Sequence, residues 1–181
     1  MATNNTTPKP DLPDSASPLV LREPTAVDGI RVNELVAGSP PLDTNSIYCN
    51  LLQCSHFSNT AIVSELEGEL VGFISGYQLP RKPETLFIWQ LVVSPMARGR
   101  GLAKKMVEGL LNRPSLSHLR YIETTIGPDN DASWGVFRSL AKKWQAATDE
   151  KVLFESQAHF HGRHDDEVLF TIGPIERPLK T

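Results

Sequence analysis

Between Pro95 and Lys105 the chain reads PMARGRGLAKK, four basic residues and two glycines with no acid among them. Such a stretch suits an anion. The nine residues before Ser94, TLFIWQLVV, are nearly all β-formers, and Pro95 stops them. Beyond it Leu102, Met106 and Leu110 recur at the spacing of one helix face. The junction Arg98-Gly99-Arg100-Gly101-Leu102-Ala103 is therefore expected where a strand turns into a helix. The first amides of a helix have no internal partner and lie at the positive end of its dipole. Small residues at Gly99, Gly101 and Ala103 let a pyrophosphate approach those amides, with Arg98, Arg100 and Lys104 adding charge around it. A P-loop signature is absent, and Lys104 stands where a dinucleotide fingerprint needs its third glycine. The plain alternative is a solvated helix start; the strand, the proline stop and the helix favour a phosphate cradle.

Three other groups could do chemistry. His159, His161 and His164 with Asp165 and Asp166 mimic a metal site in HFHGRHDDE, but their spacing fits no zinc signature. Cys49, Cys54 and His56 mimic another in a segment that reads as helical and apolar, where packing is expected. Five residues apart on a helix, the two cysteines lack disulfide geometry and are expected as buried thiols. Glu123 lies in the middle of the strand-like YIETTI, where a carboxylate is unusual unless it is paired or used. It is either a general base or half of a salt bridge.

The elements that must position these groups follow from period and punctuation. LVLREP reads as a strand, and Thr25 with Asp28 opens a helix over Val27, Ile30, Leu35 and Val36 that ends at Gly38. In LDTNSIYCNLLQCSHF, Asp43, Thr44 or Asn45 is expected to cap a helix with Tyr48, Leu51 and Leu52 on one face. TAIVSELEGELVGFISGYQL gives two strands around a turn at Glu67–Gly68, with Gly72 and Gly76 marking a bulge or a close backbone approach. RYIETTI is a strand, and PDNDASWGVFRSLAKKW a helix capped by Asp129 or Asn130 that buries Val136, Phe137, Leu140 and Trp144. KVLFES and EVLFTI are strands around the polar loop QAHFHGRHDD. The fold class is α/β, of the α+β kind, with a mixed, largely antiparallel central sheet and flanking helices.

The 181 residues carry 40% hydrophobic and 22% charged side chains and a formal net charge of −3. This suits one domain, expected over 19–175, between a disordered extension (1–18) and a tail (176–181). A mildly acidic chain argues against general nucleic-acid binding. No apolar run reaches the roughly 18 residues of a membrane span, and the N-terminus lacks a secretory signal, so a cytoplasmic protein is expected.

With Arg98, Gly101 and Ala103 satisfying [QR]-x-x-G-x-[GA] directly after the strand, the sequence resembles the GCN5-related N-acetyltransferases. That resemblance implies acetyl-CoA as co-substrate, with Gly99, Arg100, Gly101, Leu102 and Ala103 around its pyrophosphate. It also implies a splayed strand pair, with the backbone of Leu91, Val92 and Val93 pairing with the pantetheine arm and a second contact segment at Asn130 and Phe137. PLDTNSIYCNLLQCSHF, ETLFIWQLVVSPMARGRGLA, IETTIGPDNDAS and HGRHDDEVLFTIGP together resemble the L-2,4-diaminobutyrate acetyltransferases of ectoine synthesis, over Leu19 to Pro174. This closer resemblance implies acetylation of the γ-amine of diaminobutyrate, a homodimer, and no metal. It places the substrate against Asp43, Thr44, Tyr48, Trp89, His164 and Glu167; Glu123 is the candidate base from its strand position, and Tyr48, water or CoA-bound solvent the candidate acid. Read alone, Asp43 would be a helix cap and Trp89 a core aromatic. The sequence departs from the wider superfamily at Phe137, where many members carry the tyrosine that protonates the leaving thiolate. Three rival functions are acetylation of another diamine or amino acid, such as ornithine or a polyamine, a non-catalytic CoA-binding module, and a metal-dependent hydrolase using the histidine loop.

Overall fold

The strand expected from TLFIWQLVV is the axis of a seven-stranded sheet in the computed structural model, which describes residues 18–40, 42 and 44–176. Asp43, the extension before residue 18 and the tail beyond residue 176 lie outside the described residues. The strands are β1 (Val20–Arg22), β2 (Ile62–Leu66), β3 (Glu69–Leu79), β4 (Lys82–Val93), β5 (Tyr121–Ile126), β6 (Thr148–Phe154) and β7 (Glu167–Ile172). They are ordered β1-β2-β3-β4-β5-β7-β6, antiparallel except for the parallel pair β4–β5. Helices α1 (Gly29–Ala37) and α2 (Ile47–Gln53) pack on one face, and α3 (Leu102–Leu111) and α4 (Asp131–Trp144) on the other. The polar loop after β6 contains a further short helix, α5 (Ser156–Phe160), where only loop was expected. The α3–α4 side holds the larger core, including Met106, Leu110, Phe137 and Leu140.

One residue changes the sheet. Leu86 and Ile88 face the α3–α4 core, and so do Leu91 and Val93, whereas Val92 faces the α1 side. Side chains alternate strictly along a strand, so this shift of parity requires one inserted residue. The inserted residue is Trp89: Gly76 pairs with Ile88 and Ser75 with Gln90. Gly76 is what permits the bulge, since a Cβ there would lie 2.6 Å from the Phe87 carbonyl oxygen. The expectation for Gly72 also holds, a Cβ there meeting Met106 Sδ at 2.8 Å.

Three local expectations need correction. Ser46, not Asp43, Thr44 or Asn45, caps α2, its hydroxyl accepting from the Cys49 amide at 3.1 Å. Tyr48 and Leu51 are exposed, and α2 instead buries the polar Asn50 and Gln53. Those amides can go inside because they bond to one another and to Asn33 on α1. Cys49 is only half-buried, while Cys54 is buried, its thiol pushed up to about 12 by burial.

At the start of α1, Asp28 is 1% exposed and receives both Arg22 guanidinium nitrogens at 2.8 Å and the Thr25 amide at 2.8 Å. Arg22 also bonds Glu65 on β2, tying the helix entry to the sheet. The Arg22 hydrogen bonds hold the Asp28 carboxyl at about 2, below its ordinary 3.8. A depressed folded-state value stabilises the fold above the unfolded value and loses that contribution as pH falls toward the folded one. The difference corresponds to about 2 kcal/mol. Urea titrations are expected to show this loss between pH 4 and 2, and Asp28→Ala should remove that part of the acid dependence while lowering stability at pH 7.

Candidate active site

The bulge at Trp89 has its effect on the far side of β4. Pairing between β4 and β5 runs from Thr85–Tyr121 to Ile88–Thr124 and stops there. Thr124 Oγ1 closes the vertex by donating to the Ile88 carbonyl at 3.0 Å. Beyond it β5 continues with β7 alone, and Trp89 to Val93 have no partner strand on that side among the described residues. A cleft of about 430 Å³ opens between the splayed strands and passes through the sheet. On the α3–α4 face it is lined by Ile88, Leu91, Thr124, Asn130, Ser133 and Phe137. On the α1–α2 face its lining is Leu42, Asn45, Gln90, Thr125, His164 and Glu167, with Trp89 and Gly127 completing the wall. Two reactants can therefore enter from opposite faces and meet at the vertex.

The junction between strand and helix falls where it was expected. β4 gives way through a single 3-10 turn (Pro95–Ala97) to α3, whose N-cap is Gly101 at φ 71°. Among the described residues no side chain caps that helix, and its first intrahelical bond is from Lys105 to the Gly101 carbonyl, leaving the amides of Leu102, Ala103 and Lys104 free of one. Gly99, at φ 76°, and Gly101 have nothing within 4 Å of where a Cβ would stand, so the approach is open. The Leu102 side chain is buried in the core, which leaves only its amide for a ligand. Arg98 folds back to donate to the Val93 carbonyl at 3.1 Å, Lys104 donates to Ser139 at 3.1 Å, and Arg100 is exposed.

The other expected residues are distributed unevenly. Asn130 caps α4, accepting from the Ser133 amide at 3.1 Å, and Phe137 is buried beside it. Trp89 is 48% exposed at the cleft, and His164 Nε2 lies 3.9 Å from Glu167 Oε1. Thr44 and Tyr48 are exposed and are not among the residues lining the cleft. Glu123 is buried on β5 next to Thr124, with Lys82 Nζ at 2.8 Å from its Oε1, and it too lies outside the lining. Sequence inspection missed Asn45, Gln90, Thr124, Thr125 and Ser133. Gln90 had a signal, a lone polar residue inside IWQLV, and Asn45 sat within the quoted LDTNS.

Among the described residues no three or more His, Cys, Asp or Glu side chains are grouped so as to hold a metal ion. Nor is any described helix long and apolar enough to cross a membrane.

Comparison with known proteins agrees with this geometry. The family described as Acetyltransferase (GNAT) matches residues 32–141. The L-2,4-diaminobutyric acid acetyltransferase of Methylotuvimicrobium alcaliphilum is 48% identical over 167 residues, covering 91% of this chain and 97% of that protein. The enzyme of the same name from Halomonas elongata is 44% identical, covering 93% and 90%. A solved structure of diaminobutyrate acetyltransferase EctA from Paenibacillus lautus, in complex with its substrate L-2,4-diaminobutyric acid and coenzyme A, is similar with a TM-score of 0.85 at 40% identity, covering 91% of this chain and 100% of that one. With a bare helix N-terminus at the end of a splayed strand and relatives of this closeness over nearly its whole length, the chain belongs to the L-2,4-diaminobutyric acid acetyltransferases of the GNAT family.

Proposed function

We infer that the chain transfers the acetyl group of acetyl-CoA to the γ-amine of L-2,4-diaminobutyrate, giving N-γ-acetyl-diaminobutyrate for ectoine synthesis. The observation that carries this is the cleft through the sheet, with a phosphate-ready helix end on one face and polar side chains on the other. The acceptor is supported by the Paenibacillus lautus relative, which is described in complex with that substrate and CoA.

Acetyl-CoA supplies a thioester carbonyl open to attack by an amine. The free amides at the start of α3 hold its pyrophosphate, and Arg100 adds charge from solvent. The unpaired edge between Trp89 and Val93 lies along the path of the pantetheine arm. On the acceptor face Glu167 offers a carboxylate to an ammonium group, His164 stands beside it, and Trp89 supplies a flat wall for a cation. Asp43 and Thr44 are kept in this proposal as acceptor contacts on the strength of the sequence resemblance alone.

An ammonium group is not a nucleophile, so a proton must leave before attack. Glu123 takes this role through water, as the buried carboxylate on β5 adjoining the vertex residue Thr124. Phe137 cannot protonate the leaving thiolate, and Tyr48 is outside the cleft wall, so solvent entering from the acceptor face supplies that proton. The proposed setting is the cytoplasm. The proposed assembly is a homodimer, for which the exposed Val152, Leu153 and Phe154 on edge strand β6 are available apolar surface.

Turnover with acetyl-CoA tests the assignment, with diaminobutyrate, ornithine and a polyamine as acceptors and the product's acetylated nitrogen located by NMR. Release of CoA is expected with diaminobutyrate well above the others, with the acetyl group on the γ-nitrogen. No release with diaminobutyrate overturns it.

A further inference from the structure

Diaminobutyrate carries a carboxylate, yet among the described residues no lysine or arginine lines the cleft. Its counterpart must be sought among neutral donors or His164, and His164 already lies beside Glu167, the one carboxylate in the lining among the described residues. On the acceptor face, next to the bulged Trp89, stands the primary amide of Gln90, 9% exposed. Its Oε1 accepts from Asn45 Nδ2 at 3.2 Å, so the Nε2 end carries two N–H donors for the cleft that Gln90 lines.

Asn45 in turn is held from α1. Asn33 on α1 donates from one Nδ2 to the Asn45 carbonyl at 2.9 Å and to Asn50 Oδ1 at 2.8 Å. Asn50, fully buried, donates to Gln53 Oε1 at 2.8 Å. Gln53 is 1% exposed, and its Nε2 has no partner among the described residues. A buried amide with an unmet donor is costly, and a hydrophobic residue at this inward position of α2 would avoid that cost. The amide chain is thus a poor choice for stability. What it does is fix the loop before α2 against both helices, and with it the partner that orients Gln90.

We propose that the Gln90 amide binds the acceptor's carboxylate and is the specificity-determining residue for an α-amino acid over a plain diamine. Asn33 and Asn50 are positioning residues that act on Gln90 through Asn45. This rests on the acetyl-transfer assignment above. A neutral donor pair suits the task because it recognises the carboxylate without repelling the two ammonium groups a few bonds away, as a fixed arginine would.

The test compares diaminobutyrate with 1,3-diaminopropane, which is the same molecule without the carboxylate. Wild-type enzyme should favour diaminobutyrate in kcat/KM. Gln90→Glu, which keeps the shape and replaces the donors by an anion, should reduce that preference by roughly 30-fold through KM for diaminobutyrate. Asn33→Leu should reduce it by about 5-fold with no change in KM for 1,3-diaminopropane, a split that general loosening of the fold would not give. KM for acetyl-CoA, measured on each variant, reports whether the other face of the cleft is intact. If Gln90→Glu lowers activity equally on both acceptors, or wild type shows no preference, the carboxylate site is overturned while acetyl transfer stands. Turnover of neither acceptor by wild type overturns the functional assignment and this site with it.

Discussion

Replacing Gly101 with glutamate is expected to lower kcat/KM for acetyl-CoA by about two orders of magnitude while KM for diaminobutyrate changes little. The residue is the N-cap of α3 at φ 71°, a conformation that costs an L-residue about 1–2 kcal/mol. A Cβ there meets nothing within 4 Å, so the folded chain accommodates the side chain without a clash. The loss arises on binding. A carboxylate at the N-cap competes for the amides of Leu102, Ala103 and Lys104 and repels a pyrophosphate from the same place. Forfeiting two charge-assisted hydrogen bonds of about 1.5 kcal/mol each corresponds to roughly 100-fold. Gly101→Ala separates the causes, since it carries the backbone penalty with little bulk and no charge. Calorimetric titration with CoA should show Ala close to wild type and Glu far weaker. Equal losses would place the effect in backbone conformation rather than in the approach to the amides.

The second large effect is expected at Glu123. Glu123→Gln should lower kcat by about 100-fold, within the range for removing a general base, and should alter the pH dependence of the rate. The substitution is mild for the fold, because the glutamine oxygen can still accept from Lys82 Nζ, now 2.8 Å from Glu123 Oε1. Lys82, with a side chain 56% exposed, can also turn to solvent. Unchanged kcat and an unchanged pH–rate profile would make Glu123 the structural half of an ion pair, and the base would have to be sought among the cleft's own side chains.

What could be read from the sequence depended on whether the deciding contacts were local. Every strand was foreseen, because each is a β-rich run between turn residues, and Gly101 and Asn130 sit at helix starts where their types are informative. The strand-to-helix junction was legible for the same reason: strand, stop and helix are contiguous between Thr85 and Leu111. The cap of α2 was misplaced because four successive residues, Asp43 to Ser46, can all serve, and only the path of the chain selects Ser46. The inward face of α2 was misread because burial of Asn50 and Gln53 depends on Asn33, 17 residues from Asn50 along the chain. The acceptor side of the cleft was the least legible part. It is assembled from a loop, a bulged strand, β5 and the segment leading into β7, which no single stretch of sequence brings together.

The splay between β4 and β5 also bears on selectivity by thickness. A bare strand edge normally lies at the rim of a sheet, where any other chain can add to it and start an aggregate. Here the edge from Trp89 to Val93 is moved to the middle of the sheet, between β5 on one side and β3 on the other. Another polypeptide would have to force its side chains into a gap already walled by Leu91, Phe137 and Thr124. A thin arm with amides and no side chains can slip in. The same hydrogen-bonding groups that would be hazardous on the outside thus become, by recession alone, a slot open to one shape of guest.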